Sequence, residues 1–317
     1  MTPVFLTVDT ELMWRHHAAG LDASEVVRRS LDPADVGVSW QLQRLADHHL
    51  KACFFVDPMP ALLYGLDPIK RVVGAILDAG QEVQLHLHPN WAGAAIGDRG
   101  ESHARFELNR YDAADQRALL SGATELLVAA GAPEPIAFRA GRYAANDDTI
   151  DALVALGFVY DSSHNGADHP HISAVGLAPG QIAPIEHRGV IELPVTVIED
   201  RIGKLRDFQV CALSTGEMEA ALVHAIVENH AAVTIVGHSF DLANRIGTRA
   251  NAVHVRRFEA LCALLQAARG VLPTCHFADR PRLALDRCDI PLGPNLLRTS
   301  LRRAEQLWSN WVSERAA

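Results

Sequence analysis

The sequence has no uninterrupted apolar stretch long enough to cross a bilayer and no basic leader followed by an apolar run; Met1 enters a strand-like segment, TPVFLTVD, at once. Its five cysteines, Cys53, Cys211, Cys262, Cys275 and Cys288, are scattered with no Cys-x-x-Cys, which implies neither a zinc ribbon nor a disulfide scaffold. Positive charge is in deficit: 29 Lys and Arg stand against 38 Asp and Glu, a net charge of −9, and the pI is near 5.9. Nucleic-acid binding needs a basic face, so this balance excludes a general nucleic-acid binder. Internal repeats and low-complexity linkers are also absent. The expectation from these absences is a cytoplasmic protein with reduced thiols.

What remains is 317 residues with 49% hydrophobic and 21% charged content, enough for one barrel-sized α/β domain or two smaller ones. Strand-like and helix-like segments alternate. Strands are predicted at Val4–Val8, Ala52–Val56, Val83–His86, Ile136–Phe138, Phe158–Tyr160, Val190–Val197, Ala232–Val236 and Leu272–Phe277. Helices are predicted at Val36–Leu50, Ile69–Ala79, Ala113–Ala130, Asp147–Leu156, Gly216–Asn229 and Ala252–Ala268, most of them closed by glycine. A polar loop is expected around Gly93–Glu107. Strand–helix units in this number point to a parallel barrel in one domain over residues 1–290.

In such a barrel, chemistry gathers where strands end. The stretch EVQLHLHPNW, Glu82 to Trp91, ends in His86 and His88. Two apart on a strand, they share a face and suit Zn²⁺ or a similar ion, or else sit solvated at a sheet edge. The first strand ends Asp9-Thr10-Glu11, again a same-face pair. Later ends carry Arg139 to Tyr143, then Asp161-Ser162-Ser163, then Gly237-His238-Ser239. Singly, each has a plainer reading: Arg139 as a buried ion-pair partner, Asp161 as a turn cap, His238 as a satisfied core histidine. Their co-occurrence favours a site.

These segments resemble the polysaccharide deacetylases, carbohydrate esterase family 4 with its NodB-homology domain. LTVDTE resembles the family's first motif, GQEVQLHLHP its histidine motif, FRAGRY its Arg-x-Pro-Tyr motif, YDSS its Asp-x-Ser/Trp motif and TIVGHS its Leu-x-His motif. The similarity runs from about Val4 to Phe277 and implies a distorted (β/α)7-type barrel that removes an N-acetyl or similar N-acyl group from a sugar or polysaccharide precursor. The chain departs from the pattern in three places. Its acidic pair is Asp-x-Glu, its second histidine is His88 with Asn90 beyond it, and Gly141-Arg142 stands where the third motif has proline.

Hydrolysing an amide requires an activated water, a stabilised oxyanion and a protonated leaving nitrogen. Glu11, His86 and His88 are assigned as ligands of Zn²⁺ or another divalent transition metal, and Asp9 as general base. The two carboxylate roles can be exchanged. By the resemblance, Arg139 pairs with Asp9. His238, on the opposite wall, is the general acid. Asp161 orients that imidazole or pairs with Arg139, and the Tyr143 backbone N–H is the oxyanion donor. The partner is then an N-acylated carbohydrate. A metal-independent cyclic-amide hydrolase of the same fold and a non-catalytic sugar-binding barrel stay open beside this reading.

Two further segments are read from pattern. The loop holding His164 to His171 lines the cleft or is merely solvated. Residues 291–317 form a C-terminal amphipathic helix in which Leu297, Leu301, Ala304, Trp308 and Trp311 or Val312 share a face. That face packs on the barrel, or meets a membrane surface or partner through residues 295–312.

Overall fold

A computed structural model describes residues 1–98, 105–285 and 287–314; the middle of the polar loop expected at Gly93–Glu107 lies outside the described residues. In chain order the elements are β1 (Val4–Thr10), α1 (Trp14–Ala18), α2 (Ala23–Leu31), α3 (Val38–Asp47), β2 (Cys53–Val56), α4 (Ala61–Tyr64), α5 (Asp67–Asp78) and β3 (Glu82–Leu87). There follow α6 (Ala113–Ala129), β4 (Ala137–Ala140), α7 (Asp147–Ala155), β5 (Tyr160–Asp161), β6 (Ile185–His187), β7 (Val190–Glu192), β8 (Val197–Arg201) and β9 (Lys204–Asp207). The last elements are α8 (Thr215–Val227), β10 (Val233–His238), α9 (Ala252–Ala267) and α10 (Leu296–Ser309).

One eight-stranded sheet runs β10-β1-β2-β3-β4-β5-β7-β6. It is parallel except for the β6–β7 hairpin, and it curls into a distorted (β/α) barrel in a single domain. Extended segments close the gap between β7 and β10. Leu193 donates to the Asp161 carbonyl at 2.7 Å, Thr196 to that of Thr234 at 3.1 Å, and Val210 to that of Val236 at 3.0 Å. These irregular closures are why the barrel is distorted.

Alternation along each strand sorts the core into an inside and an outside. Phe5, Cys53, Phe55, Ala137, Tyr160 and Leu193 pack with Phe277 inside the barrel. Val4, Leu6, Val8, Phe54, Val56, Leu85 and Phe138 face the helices. Buried on both faces, the strands read as apolar runs, as parallel sheets require. Along β1 the inner face reads Phe5, Thr7, Asp9, so the interior turns from apolar to polar toward the strand's C-terminal end. There the loops meet, and there the polar residues collect.

Two expected strands are broken by proline, which has no N–H to give a ladder. Val190–Val197 divides at Pro194 into β7 and the start of β8. Leu272–Phe277 contains Pro273 and makes only a single bridge, Val4 to Thr274. It nevertheless follows β1, with Thr2 donating to Val271 O and Cys275 to Val4 O. The helix expected over Val36–Leu50 is α3, which starts after Gly37 and ends where His49 takes a φ of 54°. Between Glu11 and Val36 the chain forms α1 and α2, the latter capped by Asp22 accepting from Glu25 N at 2.9 Å.

The C-terminal helix α10 turns its polar side inward. Arg302 is buried, its Nε 3.0 Å from Glu217 Oε1 and a second nitrogen on Asp200 Oδ1. Glu217 is also the capping-box residue of α8, its carboxylate accepting from Ser214 N. Arg257 meets Glu305, and Ser309 bonds Asn251. The apolar face is left outward, with Leu297 70%, Leu301 61%, Trp308 58% and Trp311 55% exposed. The packing of that face on the barrel, one of the two expectations, is therefore corrected: buried carboxylates on the barrel claim the arginine side of the helix. No helix among the described residues is long and apolar enough to cross a membrane.

This inversion gives opposite forecasts for adjacent residues. Arg302→Met leaves two buried carboxylates short of a cation and should cost about 3–5 kcal/mol. Leu301→Ser, at an exposed site, should stay within about 0.5 kcal/mol. Urea unfolding of the two variants checks the order, and the reverse ranking would place the apolar face inside.

Candidate active site

The polar rim of the barrel is assembled by strand register. In the β1–β10 pairing Asp9 stands beside His238, and in the β3–β4 pairing His86 stands beside Arg139. His238 is thus Asp9's neighbour on the adjoining strand, not a residue of the opposite wall. Its Nε2 lies 3.9 Å from Asp9 Oδ2.

Arg139 is fully buried within the barrel. One terminal nitrogen donates to Asp9 Oδ1 at 2.8 Å and to Thr7 Oγ1 at 2.7 Å. The other donates to Ser162 Oγ at 2.9 Å, while Nε reaches Ser162 O at 3.1 Å. The guanidinium lies over the Phe55 ring, 4.5 Å from its centroid. Burial works against its charge, yet Asp9 in contact raises its pKa further. The expected Arg139–Asp9 contact is present, and it leaves Asp9 Oδ2 facing His238.

Glu11, His86 and His88 converge, each offering one ligand atom, and these atoms lie within 4.8 Å of one another. His86 Nδ1 is 2.7 Å from the Arg139 carbonyl. That bond places a proton on Nδ1 and turns Nε2 to Glu11, whose Oε2 is 3.6 Å away. His88 Nε2 also contacts Glu11 Oε2. Burial opposes ionisation of Glu11, but the facing imidazoles of His88 and His86 hold it well below the usual carboxylate range. Gly141 makes room for this arrangement. A Cβ there would sit 2.5 Å from the His88 ring, which explains glycine at the first residue after β4. The next two residues, Arg142 and Tyr143, take φ values of 56° and 59°, a left-handed turn that brings Tyr143 over the site end of the barrel. Its ring packs with Val195 and Val236. Two imidazoles and a carboxylate on one side of a polar cleft suit a divalent ion such as zinc.

Asp161 is not at the site. Tyr160 and Ser162 point into the barrel, so Asp161 points out, where its carboxylate accepts from Ser163 Oγ at 2.7 Å. Across the β5–β7 pairing it faces Glu192. The places foreseen for it are taken by others: Ser162 bonds Arg139, and Asp241 bonds His238 Nδ1 at 3.1 Å. Burial opposes the His238 charge, but Asp241, with help from Asp9 and Glu11, pushes its pKa up to about 10. The Gln209 amide also lies 3.0 Å from Nδ1, and Phe240 stacks on the ring.

Asp57 is a further residue that the pattern reading passed over. It follows β2 directly and is buried beside His88 and Glu11, and burial pushes its pKa up to about 7. Applying the strand-end rule to every strand would have named it. Asp241, three residues past β10, had no such signal. In the loop after β5, His164 is buried and its Nε2 lies 3.0 Å from the Ala178 carbonyl. It packs against His169. A cavity of about 550 Å³ opens beside Glu11 and His88 of the ligand trio, bounded also by Trp14, Trp91 and Phe106. A larger one, about 720 Å³, lies away from it among Met59, Leu62, Ala118, Gly122 and Leu126, and holds none of the site residues.

Burial raises both Asp161 and Glu192, and their proximity raises Glu192 further, well above the usual range. The folded chain keeps a proton there that the unfolded chain releases. Stability from this pair is therefore full below the ordinary carboxylate pKa, about 4.3, and is lost as pH rises toward the folded value. Glu192→Gln should remove that loss. Denaturant unfolding at pH 5 and pH 8 checks it: a variant whose stability falls between them as much as the wild type's would assign the loss to other groups.

No family model matches the chain, and no curated protein matches it. Solved structures do. A protein assigned as a polysaccharide deacetylase from Mycobacterium smegmatis is similar with a TM-score of 0.51 and 21% identity, over 91% of this chain and 95% of that one. The allantoinase Puue is similar with a TM-score of 0.53 and 13% identity, over 88% of each chain. At these identities the likeness is one of fold.

Proposed function

We propose, for a chain that has the NodB-homology deacetylase fold, that it is a metal-dependent hydrolase removing an N-acetyl or similar N-acyl group from a carbohydrate. The observation that carries this reading is the convergence of Glu11, His86 and His88 within 4.8 Å, beside the Asp9–His238 pair. Zn²⁺ or another divalent ion held by the trio would supply polarisation of the acyl carbonyl and a lowered pKa for water.

The rest falls to side chains. Arg139 occupies Asp9 Oδ1 and leaves Oδ2 to accept the proton of the attacking water. Glu11 lies between two imidazoles and Asp9 between a guanidinium and His238, which supports ligand for the first and base for the second. The Tyr143 N–H is the donor for the oxyanion. His238 passes its Nε2 proton to the leaving nitrogen as the C–N bond breaks, so the amine departs neutral. Asp241 holds that imidazole charged and oriented, the role earlier given to Asp161.

Metal analysis of untagged protein and an acetate-release assay on N-acetylated sugars test the reading together. His86→Ala should lose metal and turnover. His238→Ala should keep metal and lose kcat by about 10² to 10⁴-fold. Turnover of a cyclic amide by metal-free wild type would favour the metal-independent hydrolase, and sugar binding without any release the non-catalytic barrel.

The pH profile tests Asp241. The carboxylate raises the His238 pKa, so Asp241→Asn must lower it, and the general acid is then deprotonated earlier as pH rises. From a His238 pKa of about 10, the basic limb of kcat/KM should move to lower pH, with activity falling about 2-fold more at pH 9 than at pH 6 for a shift of one unit and about 10-fold more for a shift of two. An equal loss at all pH values would make Asp241 a structural anchor.

A further inference from the structure

The cavity at the ligand trio carries a charge pattern that a neutral sugar does not explain. Beyond Glu11 and His88 its wall includes Arg15, Arg142 and Arg245. These come from separate parts of the chain: α1, the turn after β4, and the loop after β10. Arg15 donates from a terminal nitrogen to the Arg245 carbonyl at 3.0 Å, which draws two like-charged residues together. Among the described residues, neither Arg15 nor Arg245 has a carboxylate within ion-pair distance of its guanidinium, and Arg142 has only Glu107, at 3.9 Å.

The nearby acids are engaged elsewhere. Glu11 faces His86 and His88, Asp241 holds His238, and Glu314 accepts from the Arg245 backbone N–H at 3.1 Å. Burial lowers the Arg15 pKa and the Arg245 charge lowers it further, while Glu11, Glu314 and Asp241 partly offset them. Half-buried Trp14 and Phe106, with Trp91 buried against Trp14, also line the cavity. Trp14 meets Trp91 edge-on at 5.1 Å and Phe106 at 5.8 Å.

We propose that Arg15, Arg142 and Arg245 form an oxyanion subsite, so that the amide substrate carries a phosphate or carboxylate group some way from its acyl nitrogen. This rests on the hydrolase reading above and names the class of substrate within it. Guanidinium forks match both groups bidentately, whereas ammonium groups do not. A bound oxyanion would neutralise the crowded cations. The half-buried rings of Trp14 and Phe106 would border the sugar, and the acyl group would reach the ligand trio.

The test is binding, measured apart from turnover. Calorimetric titrations use N-acetylglucosamine 1-phosphate, an N-acetylated aminouronic acid and neutral N-acetylglucosamine. They are run on the wild type and on Arg15→Gln, Arg142→Gln and Arg245→Gln, each confirmed folded by its melting curve. The anionic sugars should bind more tightly than the neutral one, and each substitution should weaken them by about 10- to 100-fold with little change for the neutral sugar. Preference for the phosphate or for the acid identifies the source of the oxyanion. Equal binding of charged and neutral sugars, or anionic binding indifferent to all three substitutions, would overturn the subsite. Arginine-dependent binding of the anion without acetate release would keep the subsite and remove the deacylase reading. Release from neutral sugars that ignores the arginines would do the reverse.

Discussion

A single buried cation organises the interior of this barrel. Arg139 has no contact with water, and its neighbours come from the strands around it: Thr7 and Asp9 of β1, Phe55 of β2 and Ser162 just past β5. A charge so placed is tolerated only when it is paired and its donors are satisfied. The same bonds that satisfy it draw the strand ends to one point. Asp9 is fixed by Arg139, His238 stands beside Asp9 by register, and Glu11 lies two residues further along the chain. Removing the cation would leave Asp9 buried without its partner, so the pair couples the stability of the fold to the shape of the site.

Around that centre the carboxyl groups are held in different states by their surroundings. Asp241, against His238, is kept below the usual range despite its burial. Asp57, buried and with the Glu11 carboxylate near, is pushed up to about 7. Asp161 and Glu192 face each other outside the barrel and are raised by burial. Groups with the same chemistry are thereby sorted into anion and proton holder by which side of the sheet they face and what meets them there.

The periphery follows a similar logic. α10 is held by charge rather than by its leucines, because Asp200 and Glu217 are buried on the barrel and need Arg302. The turn that follows it, Asn310–Glu314, reaches the loop of Arg245 and Arg249, where Arg249 donates to the Val312 carbonyl at 3.3 Å. The helix therefore braces the loop that lines one wall of the cavity at the ligand trio. The leucines and tryptophans left outside form an apolar stripe on the far side of the same helix.

Local periodicity made much of this readable from the sequence. Alternation over two residues is a property of a strand alone, so the shared faces of Asp9 with Glu11 and of His86 with His88 followed without any neighbour, as did the alternation of strands with helices. The break of a strand at Pro194 was equally local, and so was the placing of Asp57 at a strand end, though neither was drawn from it. Tertiary structure decided what depended on distant partners. That Ser162 and not Asp161 faces Arg139 turns on a one-residue parity set by pairing with β4 and β7. That Asp241 holds His238 depends on the path of a loop with no period. Which side of α10 faces inward was fixed by buried carboxylates far away in the chain, because an amphipathic pattern gives the two faces of a helix but not the surface each one meets.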